Sequence, residues 1–332
     1  MTGDKPPLAM TMGDPAGIGP EIALEAWRAR VAGAPPFFVL ASPELLFATA
    51  KLASLDTPII ETEPGHAAAV FDKGLPVVPL EHRVEADPGR PDTRNAAATI
   101  ESIARAVQAV RDGAARALVT NPIAKAVLYD AGFRFPGHTE YLGELAKAWG
   151  EAAFPVMMIW SETLAVVPIT IHIPLSEAPK ALSAELIAKT ARVVYRDLRA
   201  RFGLARPRLA VAGLNPHAGE GGAMGSEETT IIAPAIETLR AEGIDVTGPL
   251  PADTMFHAAA RARYDVALTM YHDQGLIPVK TLAFDEGVNV TLGLPFVRTS
   301  PDHGTAFDIA GKGIANPSSL ISALKLADRL TR

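Results

Sequence analysis

The sequence predicts an α/β protein with two domains built from parallel βαβ units. Short apolar segments alternate with segments of helical periodicity along the whole chain. The chain has 332 residues, which is more than one hydrophobic core usually organises. Its 48% hydrophobic and 20% charged residues are typical of a globular protein.

In the first half, PLAMTM, FFVLAS and RALVT are the predicted strands, and each precedes a helical pattern. Asp92 to Arg111 reads as a further helix that ends at Gly113. Pro58 to Leu80 is rich in turn residues. This order of elements is typical of successive βαβ units.

The second half continues the alternation with VMMIW, LAVVPITIH, RLAVAGLN and DVALTMY as strands. Helices are predicted over Ser183 to Phe202, Glu227 to Arg240 and Pro317 to Leu330. VNVTLG and FVRTS suggest a hairpin or an antiparallel addition to the sheet. We expect residues 1–128 and 305–332 to form the first domain, and residues 129–304 to form the second.

Composition excludes several functions. A net charge of −6 and a pI near 5.8 argue against nucleic acid as a partner, which demands a basic face. The sequence begins without a basic, apolar leader and contains no uninterrupted apolar span, so we expect a cytoplasmic protein without a membrane partner. With no cysteine, any transition-metal site must use His, Asp or Glu.

Three histidines follow predicted strands: His172 ends LAVVPITIH, His217 follows RLAVAGLNP, and His272 ends DVALTMYH. Loops beyond the carboxyl ends of parallel strands meet at one edge of a sheet, so these side chains can converge. Three imidazoles leave open positions on a divalent cation, which is typical of a catalytic metal site. The alternative is that each histidine only hydrogen-bonds backbone at a strand end.

Two regions are candidate anion sites. In FPGHTE, His138 and Thr139 precede a helical pattern, where Thr139 is either the cap of the helix or part of a phosphate or carboxylate site. Lys280, Asn289 and Arg298 follow the third histidine and suggest a second anion clamp. The loop Gly13 to Glu21 looks like a phosphate loop but matches neither the dinucleotide nor the P-loop fingerprint.

Five long motifs carry a resemblance to a known family: MGDPAGIGPEI, TNPIAKAVLYDAGF, PGHTEYL, LNPHAGEGG and YHDQGLIPVK. Together they make nearly the whole chain resemble the 4-hydroxythreonine-4-phosphate dehydrogenase family of vitamin B6 biosynthesis. The resemblance implies two α/β domains that flank a cleft, as in isopropylmalate dehydrogenases. It also implies a homodimer whose active site is shared between subunits, with the second domain supplying metal ligands and dimer interface.

The resemblance assigns roles to residues. It implies that His172, His217 and His272 bind the divalent cation. By ligand chemistry, imidazole suits zinc, cobalt or nickel, and oxygen ligands from the substrate would make magnesium or manganese competent. The resemblance also implies that the phosphorylated substrate is contacted by His138, Thr139, Lys280, Asn289 and Arg298. The implied reaction is NAD-dependent oxidation of 4-phosphohydroxy-L-threonine at C3, followed by decarboxylation to 3-amino-2-oxopropyl phosphate. Asp253 and Asp273 are the carboxylates we would test as general base, although either can instead orient a metal ligand.

A wider resemblance concerns HGTAFDIAGKGIANPSSLISA, which is similar to the nicotinamide-binding segment of isopropylmalate and isocitrate dehydrogenases. It implies that His303, Gly304, Thr305 and Ala306 line the adenine side of the cofactor. It further implies that Asp308 accepts hydrogen bonds from the ribose hydroxyls, which favours NAD over NADP.

Other functions are also consistent with the sequence. Relatives on the same scaffold oxidise threonate or erythronate 4-phosphate, or dihydrodiol carboxylates. A metal-dependent protein that binds phosphorylated metabolites without turnover, and a phosphate acyltransferase that uses coenzyme A, are the alternatives outside the dehydrogenases.

Overall fold

The computed structural model describes residues 5–135, 137–150 and 153–332. Within this part of the chain there are twelve strands: β1 (Leu8–Thr11), β2 (Phe37–Ala41), β3 (Ile59–Glu61), β4 (Leu75–Pro79), β5 (Leu118–Val119), β6 (Val156–Trp160), β7 (Ala165–Thr170), β8 (Arg208–Ala212), β9 (Asp245–Leu250), β10 (Val266–Tyr271), β11 (Val288–Leu292) and β12 (Arg298–Pro301). The α/β class predicted from the sequence is confirmed.

Twelve α-helices accompany the strands in the same described ranges: α1 (Gly19–Arg28), α2 (Pro43–Leu52), α3 (Ala67–Val70), α4 (Ala96–Arg111), α5 (Lys125–Asp130), α6 (His138–Ala146), α7 (Ala178–Ala181), α8 (Ala184–Ala200), α9 (Ala233–Ala241), α10 (Ala258–Arg261), α11 (His272–Ala283) and α12 (Ser318–Leu330). Sequence signals set several boundaries. Ser183 caps α8 by accepting a hydrogen bond from the N–H of Leu186 at 3.1 Å. Among the described residues, no helix is both long enough and apolar enough to cross a bilayer.

The chain divides into two compact units, Met1–Ala153 with Leu294–Arg332, and Phe154–Gly293. This division differs from the expected one because residues after 129 pack into the first core. The rings of Phe133, Phe135 and Tyr141 have centroids 5.1–5.3 Å apart and pack in that core, to which the fully buried Leu142 also belongs. Phe296 joins the same core from the other end of the chain.

The strands of the first unit are all parallel, in the order β3-β4-β2-β1-β5-β12. β1 and β2 are buried at every residue, because helices cover both faces of a parallel sheet. The turn-rich segment Pro58 to Leu80 contains β3 and β4, which the sequence pattern did not predict. β12 pairs in parallel with β5, so FVRTS belongs to this sheet.

The second unit has the strand order β11-β6-β7-β10-β8-β9. The four strands β7, β10, β8 and β9 are parallel. Strand β6 is antiparallel to both of its neighbours, β11 and β7. The tight connection from β6 to β7, closed by a 3.0 Å bond from the N–H of Ser161 to the carbonyl of Leu164, permits only an antiparallel pair. The parallel rhythm predicted there was wrong for β6, and the antiparallel addition predicted for VNVTLG is β11.

Candidate active site

The three histidines of the predicted metal site follow three neighbouring strands of the second unit. His172 lies just beyond β7, His272 directly follows β10, and His217 lies in the loop after β8. β10 pairs in parallel with β7 on one side and with β8 on the other. Parallel strands place their carboxyl ends at the same edge, so all three histidines lie at the edge where α/β sheets bind ligands.

Two of these histidines form a close pair. The ring centroids of His172 and His272 are 5.8 Å apart with a tilt of 42°. The Nδ1 atom of His272 lies 2.7 Å from a carboxylate oxygen of Asp273, which leaves Nε2 as the nitrogen open to a cation. The pair borders a cavity of about 230 Å³, which is also lined by Thr170, Ile173, Leu175, Ala178 and Tyr271.

His217 lies on an unusual left-handed turn, Pro216–Gly222. His217, Ala218 and Glu220 have φ angles of 54, 52 and 42°, and the glycines between and after them also have positive φ. Left-handed backbone costs a residue with a Cβ atom roughly 1–2 kcal/mol. Such strain persists only where the surrounding structure enforces it, and it concentrates at functional sites.

The donor chemistry of these histidines fits a divalent transition cation, for which imidazole nitrogen is a preferred ligand. Across residues 5–135, 137–150 and 153–332, no three His, Asp or Glu side chains are grouped closely enough to hold a metal ion. Within one chain, His172 and His272 therefore form a close pair, and His217 lies beyond the end of the neighbouring strand β8.

A cationic cluster in the first unit, called here the cationic pocket, consists of Arg298, Thr120, His138 and the exposed Lys125. Arg298, only 4% exposed, donates from Nε and Nη2 to the hydroxyl of Thr120 at 3.1 and 2.6 Å. Burial lowers the pKa of Arg298 to about 10. Burial, together with the positive charges of Arg298 and Lys125, holds the pKa of His138 well below its usual range. The Nε2 atom of His138 is buried and has no hydrogen-bond partner among the described residues.

The start of α6 differs from the prediction for Thr139. The helix begins at His138, and its N-cap is Gly137, which provides no side-chain cap. Thr139 is therefore inside the first turn, so the alternative in which it caps the helix is wrong, and its place in an anion site stays a prediction. In the predicted segment Phe135 to Glu140, Pro136 lies outside the described residues.

Thr120 and Lys125 are residues of the cationic pocket that residue-level reasoning missed. Both lie in TNPIAK, a segment that entered the sequence analysis only as a family motif. A buried threonine following a predicted strand gave no signal by itself, because its partner Arg298 lies 178 residues away in sequence.

Of the predicted second clamp, Lys280 and Asn289 belong to the second unit and Arg298 belongs to the first. Lys280 lines an open cavity of about 480 Å³ with His272, Asp273, Leu276, Ile277, Thr281 and Phe284. The Oδ1 atom of Asn289 is buried and accepts no hydrogen bond from the described residues. Lys280 and the imidazole pair therefore border adjoining cavities.

The nicotinamide-like segment lies in the first unit and is held by α1. The buried carboxylate of Glu21 accepts hydrogen bonds from the N–H groups of Gly311 and Ala315 at 3.2 and 2.9 Å. The carbonyl of Thr305 accepts the N–H of Ile18, and a Cβ atom on Gly17 would lie 2.9 Å from that carbonyl oxygen. The glycine-rich early loop thus packs against Thr305 by close backbone approach.

The predicted cofactor residues form the turn that this packing supports. Ala306 has a φ of 44°, and Gly304 and Asp308 are exposed. The Nδ1 atom of His303 lies 3.0 Å from the carbonyl of Gly304. This backbone shape and the exposed carboxylate suit a ligand that binds on the outside of the turn.

The two candidate bases have different surroundings. Asp273 contacts the ring of His272, as described above. Asp253 is exposed on the short turn Ala252–Thr254 that follows β9, next to the left-handed turn of His217. Asp273 is therefore placed to orient a ligand, and Asp253 carries a carboxylate open to solvent.

Comparison with known proteins finds one matching family and curated relatives that cover almost the whole chain. The family described as pyridoxal phosphate biosynthetic protein PdxA matches residues 33–327. A 4-hydroxythreonine-4-phosphate dehydrogenase of Methylorubrum extorquens is 63% identical over 99% of this chain and 96% of the relative. A relative of the same name from Bradyrhizobium diazoefficiens is 58% identical over 98% of this chain and 96% of its own length.

Solved structures give the same result. That of 4-hydroxythreonine-4-phosphate dehydrogenase from Klebsiella pneumoniae is 37% identical with a TM-score of 0.86, over 98% of this chain and all of that one. A terephthalate 1,2-cis-dihydrodiol dehydrogenase from Burkholderia xenovorans is less similar, with 27% identity and a TM-score of 0.64 over 97% of each chain. The chain therefore belongs to the family of pyridoxal phosphate biosynthetic protein PdxA, as its motifs predicted.

Proposed function

We propose that this chain is an NAD-dependent dehydrogenase that oxidises the C3 hydroxyl of 4-phosphohydroxy-L-threonine in pyridoxal 5′-phosphate biosynthesis. The C3 hydride passes to NAD, and the hydroxyl proton passes to a base. The resulting β-keto acid loses carbon dioxide and leaves 3-amino-2-oxopropyl phosphate. The observation that carries the proposal is an imidazole pair and a cationic pocket in a chain 63% identical to an enzyme of that name.

The cationic pocket supports a phosphorylated substrate. A guanidinium that is 4% exposed, beside a neutral imidazole with an unused nitrogen, suits an anion that accepts several hydrogen bonds. We assign phosphate and substrate contacts to His138, Thr139, Lys280, Asn289 and Arg298. Holding the phosphate fixes the distant C3 atom for hydride transfer, so these contacts raise turnover as well as affinity.

His172, His217 and His272 are the residues that would hold the divalent cation. When bound, the cation lowers the pKa of the substrate hydroxyl and polarises the ketone. Imidazole suits zinc or cobalt, and oxygen ligands from the substrate would make magnesium or manganese competent. Asp273 keeps His272 oriented, which leaves Asp253 as the carboxylate to test as the proton acceptor.

The turn from His303 to Ala306 is the proposed adenine side of the NAD site. Its Thr305 carbonyl accepts the N–H of Ile18 from the early loop, and Glu21 holds the following residues Gly311 and Ala315, which leaves the outer surface of the turn to the cofactor. The exposed carboxylate of Asp308 would accept from ribose hydroxyls and repel a 2′-phosphate, which favours NAD over NADP. We place the enzyme in the cytoplasm, where NAD and phosphorylated metabolites are available.

We propose that the working enzyme is a homodimer with shared active sites. Large apolar side chains are exposed beside the candidate metal ligands: Leu175 is 65%, Ile277 64% and Phe284 75% exposed. Apolar side chains grouped around a polar centre are typical of an interface between subunits. A second copy of the chain would bury them and supply further ligands to the pair His172 and His272.

The dimer is tested by sedimentation of the wild type and of Phe284→Asp. We expect the wild type to sediment as a dimer, and the variant to dissociate and lose activity together. Val31→Asp is the matched control, because Val31 is 85% exposed but lies in the first unit. An active monomeric wild type would contradict the shared site.

The reaction is tested by NADH formation with 4-phosphohydroxy-L-threonine, threonate 4-phosphate and erythronate 4-phosphate in one competitive panel. We expect the hydroxythreonine phosphate to have the highest kcat/KM, and metal stripping or His172→Ala to abolish the signal. His66→Ala, on an exposed turn of the first unit, should retain full activity. Full activity of the stripped enzyme, or of His172→Ala, would refute the metal site.

Two further assays, with a dihydrodiol carboxylate and with coenzyme A, can refute the substrate assignment. Equal kinetics with a dihydrodiol carboxylate would show that the cationic pocket does not select phosphate. A product that forms only with coenzyme A would indicate acyl transfer instead.

A further inference from the structure

One buried carboxylate holds the loop that carries His217. Glu228 is 3% exposed, and its Oε1 atom accepts hydrogen bonds from the N–H groups of Leu214 and Asn215 at 2.8 and 2.7 Å. Its Oε2 atom accepts from the side-chain Nδ2 of Asn215 at 3.0 Å. The carboxylate therefore fixes the two residues that precede the left-handed turn.

The fit between this carboxylate and the turn leaves no space. A Cβ atom on Gly219 would lie 2.5 Å from Oε2 of Glu228, and a Cβ atom on Gly213 would lie 3.1 Å from Oε1. Both glycines therefore let the loop close onto Glu228 from either side of His217. The turn packs closely around the carboxylate of Glu228. These contacts hold the left-handed backbone of the turn in its strained conformation.

A π-helical turn places the carboxylate there. Residues Glu228–Ile232 form a π-helix that leads into α9, and an extra residue in a turn shifts the side chains before it relative to the helix. As a result, Glu227 and Glu228 both reach Asn215: Nδ2 of Asn215 donates to Oε2 of Glu227 at 2.8 Å as well. Irregular turns of this kind are retained mainly at functional sites.

We infer that Glu228 is a positioning residue for the metal site: it imposes the left-handed turn that presents His217, without touching the cation itself. This inference rests on the proposed function, in which His217 is a metal ligand. Glu228 and Asp273 would position metal ligands in different ways. Glu228 bonds the backbone that leads to His217, whereas Asp273 contacts the ring of His272. Groups that orient metal ligands typically contribute 10- to 100-fold to metal affinity.

The test is a titration of the metal-stripped dimeric protein with Co²⁺ alone, followed by calorimetry and by the visible absorption of the bound ion. In Glu228→Gln, the side-chain NH₂ group replaces one carboxylate oxygen. It then faces either Nδ2 of Asn215 or the two backbone N–H groups, which are also hydrogen-bond donors, so at least one bond is lost. We expect Co²⁺ to bind about 10- to 100-fold more weakly, with an altered absorption spectrum. The matched control is Glu227→Gln, which should change affinity less than about fivefold because its contact is partly exposed.

Rescue separates positioning from general stabilisation. Combining Asn215→Asp with Glu227→Gln and Glu228→Gln restores an acceptor opposite the new amide, so Co²⁺ affinity should recover most of the loss. If Glu228→Gln fails to fold, Asn215→Ala removes the side-chain bonds to Glu227 and Glu228, at 2.8 and 3.0 Å, and leaves both backbone bonds to Oε1 of Glu228. Because Glu227→Gln perturbs only the first of these bonds, Asn215→Ala should still bind Co²⁺ several-fold more weakly than Glu227→Gln.

The outcomes distinguish this inference from the proposed function. If His217→Ala weakens Co²⁺ binding but a folded Glu228→Gln binds as the wild type does, the positioning role is overturned and the metal site stands. If His217→Ala leaves Co²⁺ binding unchanged, His217 is no ligand and the proposed site itself fails. A triple variant as weak as Glu228→Gln would also overturn the positioning role.

Discussion

The substitution Thr120→Val should remove the hydrogen bonds that orient the Arg298 guanidinium, without removing its positive charge. The Thr120 side chain is fully buried, and its hydroxyl oxygen accepts two hydrogen bonds from the guanidinium, at 3.1 and 2.6 Å. Valine has nearly the same shape but cannot accept either bond. The guanidinium is then buried with fewer acceptors, and its orientation toward the substrate phosphate is held less firmly.

The size of the effect follows from these contacts. A hydrogen bond to a charged, buried group contributes about 1.5–3 kcal/mol, and both bonds end on the one oxygen that is lost. We therefore expect a loss of about 2–3 kcal/mol in transition-state stabilisation, which is roughly 30- to 150-fold in kcat/KM. Thr120→Ser keeps the oxygen and loses only a methyl group, so its kcat/KM should fall less than about fivefold.

The assay is NADH formation with the phosphorylated substrate, and it is repeated with the unphosphorylated analogue. Thr120→Val and Thr120→Ser should differ with the first and agree with the second, because only the phosphate reaches Arg298. Thermal unfolding of both variants separates a loss of fold from a loss of contact. Equal kcat/KM values for the two variants with the phosphorylated substrate would refute the role of Thr120 in orienting Arg298.

Two further predictions concern the pH dependence of unfolding. Burial alone would raise the pKa of Glu101, but backbone N–H groups and Arg105 bond its carboxylate and lower that pKa to about 2. Glu101→Gln should thus reduce the unfolding free energy at neutral pH by about 2 kcal/mol, after allowance for solvent screening. In urea titrations this difference should vanish as pH falls from 4.5 toward 2, and a constant difference would contradict it. The pKa of His138 is low in the folded protein, so below pH 6.5 this imidazole binds a proton in the unfolded chain but not in the folded one. This proton uptake destabilises the folded protein as the pH falls. His138→Gln should therefore flatten the acid loss of stability by up to about 1.4 kcal/mol per pH unit, and an unchanged slope would place a proton on the folded imidazole.

Local sequence signals predicted much of the fold. Helix α4 ends at Arg111, with Gly113 in the left-handed conformation just beyond, and α12 covers the predicted C-terminal helix. The direction of β6 was not predictable from its apolar character, because only the tight turn at Ser161 makes it antiparallel. Apolar pattern fixes where a strand lies, whereas pairing depends on the length and chemistry of its connections.

The site was predictable in its parts but not in its assembly. The strand-end position of His172 and His272 follows from the pattern of the sequence, and the structure adds that β7 and β10 are neighbours. The left-handed turn was not predictable, because Ala218 gives no signal for positive φ. The bond between Arg298 and Thr120 was not predictable either, because the two residues lie 178 positions apart in sequence.

The division of the chain has a consequence for synthesis on the ribosome. Residues 154–293 form the second unit as one continuous stretch, whereas the first unit also needs residues 294–332. When translation reaches Gly293, every strand from β6 to β11 has been made, but β5 still lacks its neighbour β12. A nascent chain halted there carries all three histidines and no Arg298. The last segment to be synthesised, residues 294–332, thus supplies Arg298 and β12. Until it is made, the edge of β5 is open to pairing with other chains.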